Sequence, residues 1–122
     1  SCPTSSFSLS NVCWEMINND ELFKNNQKIF HWSDAGVASW YDFAVAIGDI
    51  GLKSGVLENK SEVLPITSKD FPTPAKRPCF SLLDSSDICD LLKLKRLYWR
   101  YELEHVINRI KLANKCQIIK QK

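Results

Sequence analysis

The sequence predicts a small α/β domain, mostly helical, with a short βαβ-like unit. Apolar residues recur at helical spacing in several stretches, two short runs rich in apolar and β-branched residues flank one of these, and Pro72, Pro74 and Pro78 interrupt the pattern. A chain of 122 residues with 44% hydrophobic and 25% charged content is the size of one domain with a modest core.

The elements follow in order. From Phe7 to Asn19, Leu9, Val12, Cys13, Met16 and Ile17 form one helical stripe, and Thr4 to Ser6 offer N-cap hydroxyls. Asn18 to Gln27 is polar and turn-rich, so the helix ends near Asn19. Lys28 to Trp32 reads as a short strand, left through the turn Ser33-Asp34-Ala35-Gly36.

A second helix opens at Ser39, where Ser39-Trp40-Tyr41-Asp42 fits a capping box with Asp in place of Glu. Its expected buried stripe is Trp40, Phe43, Ala44, Ile47 and Ile50, fading around Gly51 to Gly55. Glu62 to Ile66 reads as a second strand, with Pro65 marking an edge or an end. Thr67 to Pro78 should be a stiff, extended surface loop, because each proline fixes its own φ and restricts its predecessor.

Phe80 to Leu83 reads as a short extended piece. Asp84 to Asp87 then caps a helix containing Ile88, Leu91 and Leu92, and Lys93 to Leu97 links it to a last helix striped by Trp99, Leu103, Val106, Ile107 and Ile110. The first residue is Ser1, and Ser1-Cys2-Pro3-Thr4 leads straight into a helix, which reads as a chain entered midway by processing or by recombinant expression.

Net charge is +2, but Lys111, Lys115, Lys120 and Lys122 lie in the last stretch, which holds no acid. Residues 111–122 therefore read as a solvated basic tail behind a near-neutral body of residues 1–110, a balance that argues against nucleic-acid binding. Five cysteines, widely spaced and without a C-x-x-C pair, read as reduced thiols of a cytoplasmic protein. Cys13 and Cys89 fall on apolar helix faces. No run is long and apolar enough for a membrane span, and no signal-peptide pattern opens the chain.

Catalytic signatures are missing from the sequence. Gly36, Gly48, Gly51 and Gly55 form no G-x-G-x-x-G, so no dinucleotide cofactor site is expected here. A short-chain reductase needs a Tyr with a Lys four positions later, whereas Tyr41, Tyr98 and Tyr101 are followed at that spacing by Val45, Glu102 and His105. His31 and His105 are too few and too far apart for a metal site, and Asp34, Asp42, Asp49 and Asp70 read as caps and solvent groups.

Several short patterns in a fixed order carry a family resemblance. They are Pro3-Thr4, Ile29-Phe30-His31, Ser39-Trp40-Tyr41 with Phe43-Ala44, Pro65-Ile66-Thr67, Phe71-Pro72-Thr73-Pro74-Ala75-Lys76-Arg77-Pro78, Ser81-Leu82-Leu83-Asp84, and Trp99-Arg100 with Leu103. Together these resemble the C-terminal part of the dTDP-4-dehydrorhamnose reductase family, over roughly residues 1 to 110. Cys2 stands where a small residue is more typical, and the tail beyond Lys111 has no counterpart.

The resemblance implies an extended short-chain reductase whose N-terminal Rossmann half, missing from this sequence, binds NADPH or NADH and carries the catalytic Tyr and Lys. The part seen here would close the cleft over the dTDP-sugar substrate, and alone it would be inactive. Lys76 and Arg77 would present charge to the pyrophosphate, or Arg77 would tie the loop to a carboxylate such as Asp84. Thr73 would meet the ligand or cap a turn, Pro74 would shape the wall, His31 would line the cleft, and Trp40 would be core or a stacking platform. Pro3 and Thr4 would add backbone contacts at the domain junction.

A rival reading makes the chain a non-catalytic regulatory subunit or interaction domain, since the same fold resembles the regulatory beta subunit of methionine adenosyltransferase. Loss of a Rossmann partner would also expose apolar surface, so self-association is expected.

Overall fold

The computed structural model describes residues 1–24, 29–75 and 78–120. Helix α1 spans Ser6–Ile17. Of the hydroxyls offered between Thr4 and Ser6, Ser5 is the N-cap, accepting from the Ser8 N–H at 2.9 Å. A short helix, α2, spans Asp20–Lys24 inside the stretch expected to be all turn. The buried Leu22 accounts for it, because one apolar contact fixes a turn of helix that local propensity leaves undecided.

Helix α3 runs Trp40–Ser54 and starts as the sequence predicts. Ser39 Oγ accepts from the Asp42 N–H at 3.0 Å, and the Asp42 carboxylate accepts from the Ser39 N–H at 2.8 Å. Gly55 ends it at φ +71, a left-handed cap that costs glycine nothing. Helix α4 is Ser86–Leu92, closed by Lys93 at φ 54, and α5 is Trp99–Lys120. The last of these continues through the stretch read as a tail. Its Lys111 ammonium donates to the Ser54 carbonyl at the C-terminal end of α3, where a cation meets the negative end of the helix dipole.

The core is the seam between α3 and α5: Ala46 and Ile50 against Trp99, Leu103 and Ile107, with Ala38 beside them and Phe43, Val56 and Cys2 at its edge. Of the predicted α5 stripe Trp99, Leu103 and Ile107 are buried, Val106 is half-buried and Ile110 is exposed. The α3 stripe is rotated from the expected one. Of the expected residues Ile50 is buried and Phe43 and Ala44 are half-buried, but Trp40 is 75% exposed and Ile47 is exposed, and Ala46 and Gly51 are buried in their place. Hydrophobicity alone favours Trp and Ile, but Ala46 is the residue packed in the seam with α5, and Gly51 leaves room for Leu57 of the segment after α3, since a Cβ there would lie 2.7 Å from Leu57 Cδ1.

The α1 stripe buries only Val12, and Leu9, Cys13 and Ile17 face out. Cys13 is thus not the small core residue its helical position suggested, while Cys89 is half-buried. In α4, Ile88 is fully buried and Leu91 and Leu92 are half-buried.

The expected βαβ-like unit is not present among the described residues. Neither Ile29 to Trp32 nor Glu62 to Ile66 joins a ladder; Lys28 lies outside the described residues. Apolar and β-branched composition marks a capacity to pair, but a strand forms only beside another at ladder spacing. The pairing that does occur is a parallel bridge between Ala35 and Tyr98, with Ala35 N–H donating to Leu97 O at 2.8 Å and Trp99 N–H to Ala35 O at 2.9 Å.

Candidate functional site

The segment from His31 to Ala38 anchors most of the surroundings. Ser33 and Asp34 are buried on it, and so is Ser85, whose Oγ accepts from the Ser33 N–H at 3.1 Å. That bond lays the start of α4 alongside the segment. Asp34 is 1% exposed and holds the start of α1: its carboxylate accepts from the Ser5 N–H at 2.8 Å and from the Ser8 hydroxyl at 2.5 Å. Ser8 Oγ in turn accepts from the Trp32 indole N–H at 3.0 Å.

Thr4 Oγ1 accepts from the Asp34 N–H, and the Cys2 thiol donates to the Asp34 carbonyl at 2.9 Å. Burial pushes the Cys2 thiol pKa up, and the Asp34 charge adds to this, against Arg96 and the N-terminal ammonium. Thr4 is thereby tied to the turn that follows Trp32.

His31 projects from this anchored segment with an exposed side chain. Asp84, at the mouth of α4, accepts from the Ser86 hydroxyl at 2.6 Å and the Ser86 N–H at 2.9 Å, and these bonds hold its carboxyl below the usual range. Arg96 and then His31 lower it further through their charge. His31, Asp84 and Arg96 thus form one electrostatic group on the surface. Arg96 was missed by sequence reasoning, because Lys93 to Leu97 reads as a link with no motif, and the basic run Lys93, Lys95, Arg96 is the signal it carried.

The proline-rich loop stands in solvent from Thr67 to Ala75. Before the prolines, Asp70 closes a tight turn by accepting from the Thr67 N–H at 2.9 Å and the Thr67 hydroxyl at 2.7 Å. Thr73 Oγ1 donates to the Ala75 carbonyl at 3.0 Å, and Pro74 is exposed. Lys76 and Arg77 lie outside the described residues. Among the described residues no hydrogen bond or ion pair links Thr73 or Pro74 to His31.

Trp40 is a correction. Its exposure removes the core reading, and it stands at the start of α3 edge-on to Phe43, with centroids 6.5 Å apart.

Among the described residues no group of three His, Cys, Asp or Glu side chains is placed to hold a metal ion, and no helix is long and apolar enough to cross a membrane. A groove of about 450 Å³ runs along α3 between Tyr41, Val45, Gly48, Lys60 and Val63. Another, of about 280 Å³, lies between α1 and the α4–α5 link. Neither is lined by His31, Thr73 or Pro74.

Comparison with known proteins gives a consistent result. The family model of the RmlD substrate binding domain matches residues 1–112. The chain is 40% identical over 78 residues to a dTDP-4-dehydrorhamnose reductase of Aggregatibacter actinomycetemcomitans, covering 64% of this chain and 26% of that protein. It is 29% identical over 87 residues to the spore coat polysaccharide biosynthesis protein SpsK of Bacillus subtilis, covering 71% and 28%. It is 27% identical over 84 residues to a dTDP-4-dehydrorhamnose reductase of Escherichia coli K12, covering 67% and 27%. The chain thus matches about a quarter of the length of these relatives. No solved structure matches significantly.

Proposed function

Because the chain belongs to the RmlD substrate binding domain family, we propose that it forms the substrate-binding part of an NAD(P)H-dependent reductase converting dTDP-4-dehydro-L-rhamnose to dTDP-L-rhamnose. The observation that carries this reading is the 40% identity to a protein named for that reaction. The exposed loop is consistent with it, since a proline-rich wall loses little conformational freedom when it meets a ligand.

In this reading Arg77 and Lys76 meet the pyrophosphate, Thr73 and Pro74 shape the wall, and His31 lines the cleft opposite. Hydride comes from NADPH or NADH bound by an N-terminal Rossmann domain, and proton transfer belongs to a Tyr and Lys of that domain. Residues 1–110 are the binding domain and 111–122 a basic extension. The segments 29–32 and 62–66 pair as strands once a partner edge is supplied, and the protein works in the cytoplasm. The chain alone turns nothing over.

The test is steady-state NADPH oxidation by the intact protein with dTDP-4-dehydro-L-rhamnose. Arg77→Ala is expected to raise KM about tenfold or more, because a charged hydrogen bond to phosphate is lost. Turnover by the intact protein with KM unmoved in Arg77→Ala removes the loop's assigned role. Absence of turnover in a protein with intact glycine and Tyr-x-x-x-Lys motifs removes the substrate.

A further inference from the structure

Helix α5 has an apolar position on the side away from the core. Trp99, Leu103 and Ile107 enter the seam with α3, whereas Leu112 follows Leu103 by nine positions, about two and a half turns, and so stands on the opposite face. It is 62% exposed there. In the sequence Cys116 and Ile119 follow Leu112 at i+4 and i+7, the spacing of one helix face.

The flanks of this face are basic. Arg109 and Lys115, three positions before and after Leu112, are both exposed. Arg109 holds its guanidinium carbon 3.9 Å from the centroid of the Phe7 ring, which is exposed as well. Beyond Glu104, which is paired with Lys53, the sequence holds Arg109, Lys111, Lys115, Lys120 and Lys122 and no acid. Lys111 is committed to the Ser54 carbonyl, so the charge beside Leu112 is that of Arg109 and Lys115. The family match ends at residue 112 while α5 runs on to Lys120, so most of these cations lie outside the stretch that the family accounts for.

We propose that the C-terminal part of α5 lies on an anionic lipid surface, with Leu112 entering the headgroup layer and Arg109 and Lys115 set against lipid phosphates. Charge decides among the occupants. A second copy of this helix would bring like charges together around Leu112, which opposes pairing. A nucleic acid would satisfy the cations but offers no apolar phase for Leu112. An anionic membrane supplies both, and each basic residue held near it contributes about fivefold in affinity. A short apolar face with a few cations makes this contact weak and reversible.

The test is sedimentation of the intact protein with vesicles of phosphatidylcholine containing about one-third phosphatidylglycerol, against vesicles of phosphatidylcholine alone. Binding to the anionic vesicles is expected at low salt, with its loss as salt is raised to about 0.5 M. Lys115→Ala should weaken it about fivefold, and Leu112→Ser several-fold. Lys95→Ala removes an exposed cation outside α5 and should leave it unchanged. All three positions are exposed, so the fold tolerates each change. Absence of binding, equal binding to neutral vesicles, unchanged binding in both α5 variants, or an equal loss in Lys95→Ala overturns the proposal. Duplex DNA that competes with the vesicles and binds native and Leu112→Ser protein equally assigns the basic face to nucleic acid, and that also overturns it. The sugar reaction plays no part in this measurement, so its outcome is independent of the substrate.

Discussion

The Asp34 carboxylate accepts from the Ser5 N–H at 2.8 Å, joining the N-cap of α1 to a turn that lies 29 positions further along. With the Ser8 hydroxyl on its other oxygen, Asp34 acts as a cap from a distance. Replacing it with Ala leaves a buried N–H and a hydroxyl short of an acceptor. A loss of about 2–4 kcal/mol is expected from breaking these charge-assisted bonds. Urea unfolding of Asp34→Ala should show a lowered midpoint with an unchanged slope, and an unchanged midpoint would remove Asp34 from this role.

Gly36 is held by two independent constraints. Its φ is +101, and a Cβ there would lie 2.6 Å from Tyr98 Cε2 and 2.9 Å from Trp99 Cδ1. Gly36→Ala adds backbone strain to overpacking, together about 2–5 kcal/mol. The readout is a thermal midpoint well below that of Gly48→Ala, whose added Cβ meets only Lys60 at 3.4 Å. Equal midpoints would contradict the packing described.

The capping box of α3 predicts an acid-side pH dependence. Hydrogen bonds from the Ser39 N–H and then the Ser39 hydroxyl lower the Asp42 pKa. A folded-state value below the unfolded one means that the stabilisation is complete above the ordinary carboxylate value, roughly 3.9, and is lost as pH falls through the lowered native value. Ser39→Ala removes the side-chain cap, at a cost of about 1 kcal/mol near neutrality, and should weaken this part of the acid titration without abolishing it, because the Ser39 N–H, the larger cause, is retained. The check is thermal melting of both proteins through the carboxylate range.

Thiol reactivity should follow burial. Cys13 and Cys79 are exposed, whereas the Cys2 pKa is raised by burial and by Asp34, so less thiolate is present at Cys2 at a given pH. Alkylation at mildly alkaline pH, read by peptide mass spectrometry, is expected to modify Cys13 and Cys79 before Cys2. Arg96 counteracts the rise, so Arg96→Ala should slow Cys2 further. Faster labelling of Cys2 in that variant would refute the placement of Arg96.

What the sequence made legible is whatever is decided locally. The Ser39–Asp42 box is contained in four residues, and the α5 stripe repeats over successive turns, so both were readable in advance. Trp40 differs for another reason: helical spacing shows that residues share a face, but which face is covered depends on distant segments, here α5 at Ala46 and Leu57 at Gly51. Asp34 was read as a cap or a solvent group. Its burial depends on Ser5, Ser8 and Thr4 arriving from another segment, and no short window contains them.

The site divides in the same way. The order of motifs identified the family, because each pattern is contiguous, and the roles proposed for Thr73, Pro74 and His31 rest on those patterns alone. Arg96 could not be read in this way, since its charge acts on Asp84 across the whole of α4.

The bridge between Ala35 and Tyr98 has a kinetic meaning as well. It is accompanied by hydrogen bonds spanning 37 positions at Ser1–Ala38, 52 at Ser33–Ser85 and 57 at Ser54–Lys111. Helical proteins fold fast when their contacts are local, but here the helices meet through closures that must first gather distant parts of the chain. The molecule has the secondary structure of a helical domain and the search problem of a sheet. Stopped-flow refolding slower than that of helical bundles of its size is the corresponding observation, and bundle-like speed would show that the long closures form after the rate-limiting step.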